Sequence, residues 1–337
     1  MDASTSPRLP RERGPYTAYL FDLLRGPVRD ARTGPAVTAD NALADDDVQL
    51  ALYCCYELHY RGFAGVDERW EWSPSVLAFR AHLESMFEAA LDVVAGPRVP
   101  VADIGTALID LVRNDRSPSV SAHLASAGTI EQARELCIHR SAYQLKEADP
   151  HTWAIPRLRG ASKAALVAIQ ADEYGGGDAD AMHSTLFAVT MQTLGLDDTY
   201  GAYLDDLPAS TLATVNLISF FGLHRRNRGA LVGHLAAFEL SSVSSMTRLR
   251  SALERLGVRA EGWKFHAVHV EADAEHEDEA VSLVRALAAD EPGIERDILW
   301  GAAALVELEA RFARHILEAW AARTSSLRGS MRLAIAG

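Results

Sequence analysis

Phe265-His266-Ala267-Val268-His269-Val270-Glu271-Ala272-Asp273-Ala274-Glu275-His276 is the stretch on which the reading of this chain turns. Placed on a helix, His269, Asp273 and His276 fall at i, i+4 and i+7 and line one stripe, with His266 one turn earlier. Glu271, Glu275, Asp278 and Glu279 point elsewhere and can be solvated. Two imidazoles and a carboxylate on one helix face suit Fe(II) or Mn(II). The plain alternative is the solvated face of an acidic helix. Against it, His-x-x-x-Asp-x-x-His is not a simple charge run, and Val270 beside the stripe implies partial burial.

The helical period extends outward from this stretch over most of the chain. Asp45–Asp47 can cap a helix running to about residue 63. Ser73-Pro74 opens another, about 75–95, with proline in its first turn. Further helices are expected at about 101–114, 118–126, 129–148, 161–174, 178–194, 207–241 (with a break near Gly222 and Gly229), 247–255, 262–288 and 294–323. Gly175-Gly176-Gly177 ends one of them, and Asp178 can cap the next. No series of alternating β-branched strands and no internal repeat is present. The expected architecture is all-α, a helix bundle with its ligand site between helices. Residues 1–43 read as a partly ordered lead-in with one short helix around 18–24, residues 44–325 as the helical domain, and 326–337 as a tail.

Several helices offer inward polar groups. Glu173 shares the face of Leu166 and Ile169, and a buried carboxylate is costly unless it is paired or coordinating. A buried arginine partner or a frayed helix end is the other reading. His183 lies on the face of Leu186, Phe187, Thr190 and Met191, where a lone histidine is more often a satisfied core residue; beside Glu173 it reads as a second inward ligand. Glu147 shares a face with Leu136, Arg140 and Tyr143 at the end of its helix, where an ion pair with Arg140 or an exposed end residue is the simpler reading. Lys146 reads as exposed. Glu57 and His59 stand on an almost wholly apolar helix. Two residues apart means roughly 200° apart, so both cannot reach one ion. Buried hydrogen-bonded roles suit them better, and the same holds for His234, on a helix that also carries Asn216, His224 and Glu239. No Glu-x-x-His pair occurs, so the ferritin signature is absent.

Lys146-Glu147-Ala148-Asp149-Pro150-His151, Asp172-Glu173-Tyr174-Gly175-Gly176-Gly177 through His183, and His269-x-x-x-Asp273-x-x-His276 together resemble the haem-oxygenase-like, iron-containing redox enzymes, the haem-oxygenase-like di-iron oxidases. The likeness covers roughly residues 45–320. It implies a haem-oxygenase-like helical bundle that binds non-haem iron, not haem. It also implies O2 as co-substrate, in reactions such as N-oxygenation, oxidative cleavage of amino acids or decarboxylation of fatty acids. Carried over residue by residue, it implies Glu147, Glu173, His183, His269, Asp273 and His276 as ligands of two Fe(II) ions, with manganese as an alternative. Glu57, His59, Tyr60, Arg140, Tyr143, Tyr174 and His234 are then candidates for supporting or substrate-facing groups, Arg140 offering a cation to an anionic substrate. The competing expectation is a metal-free bundle of the same fold, either a thiaminase-type hydrolase or a ligand-binding protein. Cys137 would be the nucleophile of such a hydrolase, and it leaves the histidine stripe unexplained.

Composition limits the partners. The 337 residues are 48% hydrophobic and 23% charged, which fits a folded globular chain. A net charge of −13 disfavours the phosphate backbone of nucleic acid. Cys54, Cys55 and Cys137 form neither a disulfide framework nor a zinc pattern and read as core residues. No apolar run of membrane-spanning length appears. The expectation is a soluble cytoplasmic protein acting on a small molecule. Bundles of this kind often dimerise, so a homodimer is a further expectation.

Overall fold

The computed structural model describes residues 6–30, 34–35 and 41–329; the side chains of residues 272–275 lie outside the described set. Among the described residues there are thirteen α-helices and no strand. They are α1 (Pro15–Arg25), α2 (Asp46–Glu57), α3 (Pro74–Ala95), α4 (Ile104–Arg113), α5 (Val120–Ala127), α6 (Ile130–Gln144), α7 (Asp149–Thr152), α8 (Gly160–Glu173), α9 (His183–Thr193), α10 (Ala209–Leu223), α11 (Arg228–Arg255), α12 (Ala260–Asp290) and α13 (Glu295–Ala321). The all-α expectation therefore holds.

Local chemistry sets several boundaries. Asp45 caps α2 by accepting from the amides of Asp47 and Val48. Thr129 and Gln132 form a capping box at the start of α6. The stretch 207–241 breaks where expected, at a 3-10 turn, Arg225–Asn227, between Gly222 and Gly229. Other boundaries differ from expectation. Helix α11 absorbs the separate helix expected at 247–255. Helix α9 starts at His183 with Met182, not Asp178, at its N-cap.

Helix α11 is the axis of the bundle and packs against α12, α13, α5, α10 and α4. Its approach to α13 is very close. A methyl group at Gly233 would collide with the Ile298 carbonyl, and one at Gly301 with the Ala230 backbone. Helices α8 and α9 both pack against α12, α8 adding Leu166 and Ile169 to the main core. The lead-in helix α1 joins the main core through Leu20, Phe21 and Leu24 and receives Asp47 on the amides of Tyr16 and Thr17. The main core contains Tyr143 and Leu235; a second apolar cluster contains Phe265, Phe187 and Met191. Glu147, Glu173, His183 and His269 meet beside both clusters, in a cavity lined by Tyr143 and Leu235 of the first and with the His269 ring 4.3 Å from that of Phe265 in the second. No helix of the described residues is long and apolar enough to cross a membrane.

Candidate metal centre

Four buried side chains from separate elements converge. Glu147 follows the end of α6, Glu173 is the last residue of α8, His183 is the first of α9, and His269 lies in α12. One ligand atom from each falls within 4.8 Å of the others. A second group, Glu173, Glu239 and His276, meets the same limit and shares Glu173 with the first. Its Glu239 comes from α11. The sequence had placed Glu239 on a polar-bearing helix without assigning it to the site. Asp273 lies on α12 between His269 and His276, but its side chain is outside the described residues.

The turn between α8 and α9 brings Glu173 and His183 together. Gly175, Gly176 and Gly177 all have positive φ, and a Cβ at Gly175 would lie 2.7 Å from the Ala181–Met182 backbone. Only glycine fits such a turn. His183 Nδ1 then lies 2.8 Å from Glu173 Oε2, yet neither atom has a hydrogen-bond partner. Two buried acceptor-capable atoms facing one point in this way fit a shared cation.

The histidines of α12 are oriented from behind. His269 Nδ1 lies 2.8 Å from the Phe265 carbonyl, which only accepts, so Nδ1 carries the proton. In the neutral ring the Nε2 lone pair then faces Glu147 Oε1 at 3.8 Å. A lone pair opposite a carboxylate is repulsive unless a proton or a cation sits between them. His276 repeats the pattern, with Nε2 3.0 Å from Asp172 Oδ2 and Nδ1 3.5 Å from Glu239 Oε2. Metal-binding histidines are typically held in this way, one ring nitrogen donating to a carboxylate or carbonyl so that the other turns to the ion. Asp172, expected to face away, is mostly exposed but reaches His276.

Burial pushes the Glu147 carboxyl above the usual carboxylate range, against the pull of His269. Burial also acts on Glu173, but His183, with His269 and His276, outweighs it and holds that carboxyl low. Gln144, with its amide nitrogen turned to the carboxylate, donates to Glu147 at 2.6 Å. Among the described residues the ion pairs of Glu147 and Glu173 are with histidines. The small cavity here measures about 10 Å³ and is lined by Tyr143, His151, Gln170, Phe238 and Ser242 together with the carboxylates. That is room for about one water-sized occupant.

The other candidates lie elsewhere. Arg140 is paired in a bidentate fashion with Glu309 and stacks on Phe312, so it is not a free cation for a substrate. Glu57 is paired with Lys146, which is only 2% exposed; the expectation of an exposed Lys146 is corrected. His59 faces Glu71 and Arg80, away from the cluster. Tyr60 bonds Ser219, and Tyr174 bonds Asp149 and Thr152. His234 Nδ1 meets His151 Nε2 at 3.1 Å, a buried hydrogen-bonded role as read from the sequence. Of the supporting candidates, Tyr143 alone lines the cavity. Cys137 is buried in the second apolar cluster and its thiol is pushed up to about 12 by burial, which removes it as a nucleophile.

This chain belongs to the iron-containing redox enzyme family, whose model matches residues 134–310. That span holds both groups of converging side chains. Among individual proteins, the chain is 26% identical over 162 residues to the nitrosourea synthase of Streptomyces achromogenes subsp. streptozoticus. The match covers 48% of this chain and 34% of that protein, so it spans about a third of the relative's length. Two crystal structures of a CADD-like protein of unknown function from Nostoc punctiforme PCC 73102 share the fold at 15% identity and a TM-score of 0.50. They cover 63% and 66% of this chain and 94% and 96% of theirs.

Proposed function

We propose that this protein is a non-haem iron-dependent oxidase that uses O2 to oxidise a small organic substrate at a site for two ions. The observation that carries the reading is the pair of buried carboxylate and histidine groups that share Glu173. One group supplies Glu147, His183 and His269; the other supplies Glu239 and His276. Asp273, on the same helix stripe, is proposed to join the second. A mixed oxygen and imidazole set suits iron or manganese. The shared carboxylate suits two ions side by side.

Bound ferrous iron would supply the one-electron chemistry needed to reduce O2, which these side chains lack. The protein's own contribution is to hold and shield. The Phe265 carbonyl and Asp172 fix the rings of His269 and His276 with one nitrogen turned inward. Tyr143, Phe238 and Leu235 keep bulk water from the carboxylates. His151, held by His234 and uncharged because burial lowers it to about 4, gives the cavity wall a neutral polar edge. The family match and the distant likeness to a nitrosourea synthase support redox chemistry without identifying the substrate.

The test is anaerobic loading with Fe(II), metal analysis, and rapid mixing with O2 while a transient visible absorption is followed. Two ions per chain and an O2-dependent transient are expected. If His269→Ala and Glu173→Ala take up iron as well as the parent, the reading is wrong.

A further inference from the structure

Glu147 sits on an unusual piece of backbone. Helix α6 ends at Gln144, and the next residues turn through Lys146 N to Tyr143 O (2.9 Å) and Asp149 N to Lys146 O (3.2 Å). Ala148, directly after Glu147, has φ 73° and ψ −34°. Residues with a Cβ rarely adopt this left-handed conformation, and it persists only where the surroundings enforce it.

Those surroundings are specific. Lys146 and Glu147 are neighbours in sequence but point to opposite sides. Glu147 turns to His269 on α12. Lys146 Nζ reaches Glu57 Oε2 on α2 at 2.9 Å, with side-chain exposures of 1% and 0%. Its ammonium lies 4.2 Å from the Tyr60 ring centroid, 5.0 Å from Tyr53 and 6.0 Å from Tyr200. Tyr200 OH donates to the same Glu57 oxygen at 2.6 Å. Arg61 Nη2 donates to the Leu145 carbonyl at 3.0 Å. The turn is thus bolted to α2 on one side while it offers a carboxylate on the other. A buried ion pair is weak evidence for stability, because desolvation offsets the attraction; its better-attested use is to specify one arrangement. A methionine at position 146 would fill similar space without fixing a direction.

We infer that Lys146 is a positioning residue for Glu147: its ammonium, locked against Glu57 inside the tyrosine cage, keeps the strained Ala148 turn in place and so holds the Glu147 carboxylate against His269. The consequence for metal binding rests on the iron reading above; the geometry does not.

The test compares Lys146→Met, Lys146→Arg and the parent. Because Lys146→Met strands the Glu57 carboxylate, Lys146→Met/Glu57→Gln is measured beside it. Crystal structures of the metal-free proteins read φ at residue 148 and the Glu147–His269 distance. Titration with Fe(II), and the visible spectrum with Co(II) in its place, read the site. In the methionine variants Ala148 should leave positive φ, Glu147 should withdraw from His269, Fe(II) affinity should fall about 10- to 100-fold, and the Co(II) spectrum should change. Lys146→Arg should restore the turn, the affinity and the spectrum. Leu91→Ala, in the core of α3, should lower thermal stability without moving affinity or spectrum. A folded methionine variant that keeps positive φ at residue 148, Glu147 at His269 and parental Fe(II) affinity overturns the inference. If the parent binds no iron, the iron reading falls and the metal-free geometry alone decides the positioning role.

Discussion

Asp172 holds His276 from the solvent side, with Oδ2 3.0 Å from Nε2, while His276 Nδ1 faces Glu239. The carboxylate is 61% exposed and the imidazole is buried, so the bond joins surface to site. Because Asp172 accepts the Nε2 proton, the inward nitrogen is left with a lone pair. Asp172→Asn should therefore weaken Fe(II) binding about 10- to 100-fold. An exposed substitution of this kind should change unfolding free energy by less than about 0.5 kcal/mol. Metal titration and urea unfolding on the same preparations check the contrast.

The sharing of Glu173 between two groups makes a counting prediction. Glu173→Ala should abolish binding of both ions. Glu239→Ala should spare the group of Glu147, His183 and His269 and leave one. Metal analysis after anaerobic loading gives the stoichiometry; two ions retained in Glu173→Ala would contradict the shared arrangement.

Amide exchange around residues 175–183 should slow when Fe(II) is added. The glycine turn joins Glu173 to His183, whose facing atoms lack hydrogen-bond partners. A cation between them would close the turn. Equal exchange with and without iron would remove this link.

The α11–α13 crossing depends on the missing side chain at Gly233. Gly233→Ala would drive a methyl into the Ile298 carbonyl. A well-packed interface absorbs such overpacking at a cost of about 1–3 kcal/mol. Urea unfolding should show that loss, and no comparable loss for Val93→Ala, at a highly exposed position.

Stability of the metal-free protein should fall below neutral pH. Burial pushes the His139 imidazole well below its usual range and lowers His151 to about 4. Below the unfolded value of about 6.5, the unfolded chain takes up protons that these folded groups refuse. Their stabilising effect is complete above that pH and declines as pH falls, for His151 until about 4. One unit below 6.5, each such group removes on the order of 1 kcal/mol. His139→Asn should flatten the pH dependence of the urea midpoint; an unchanged slope would show that His139 is not a source of it.

Much of this could be read from local pattern. The all-α class, the length of α12 and the inward stripe of His269 and His276 follow from helical period, which needs only neighbours within two turns. Glu173 was legible because it continues an apolar face. The glycines beside it announced a turn but not its direction. Glu239 carried no such signal, because α11 is buried around most of its first turns and periodicity cannot say which buried face meets the site. The burial of Lys146 is hidden from the sequence for the same kind of reason. Its partner Glu57 is 89 residues away, and no local rule connects them. The pairing of Arg140 is equally hidden, since its partner Glu309 is 169 residues distant.

By itself, the sequence determined the helices, the chemical type of the site and the α12 stripe with which it begins, because hydrophobic period and residue chemistry are local properties. Tertiary structure alone decided which carboxylates close the site, which nitrogen of each histidine turns inward, and how a strained turn aims Glu147. Those depend on packing between helices far apart in the chain, where burial forces every charge to find a partner that sequence distance conceals.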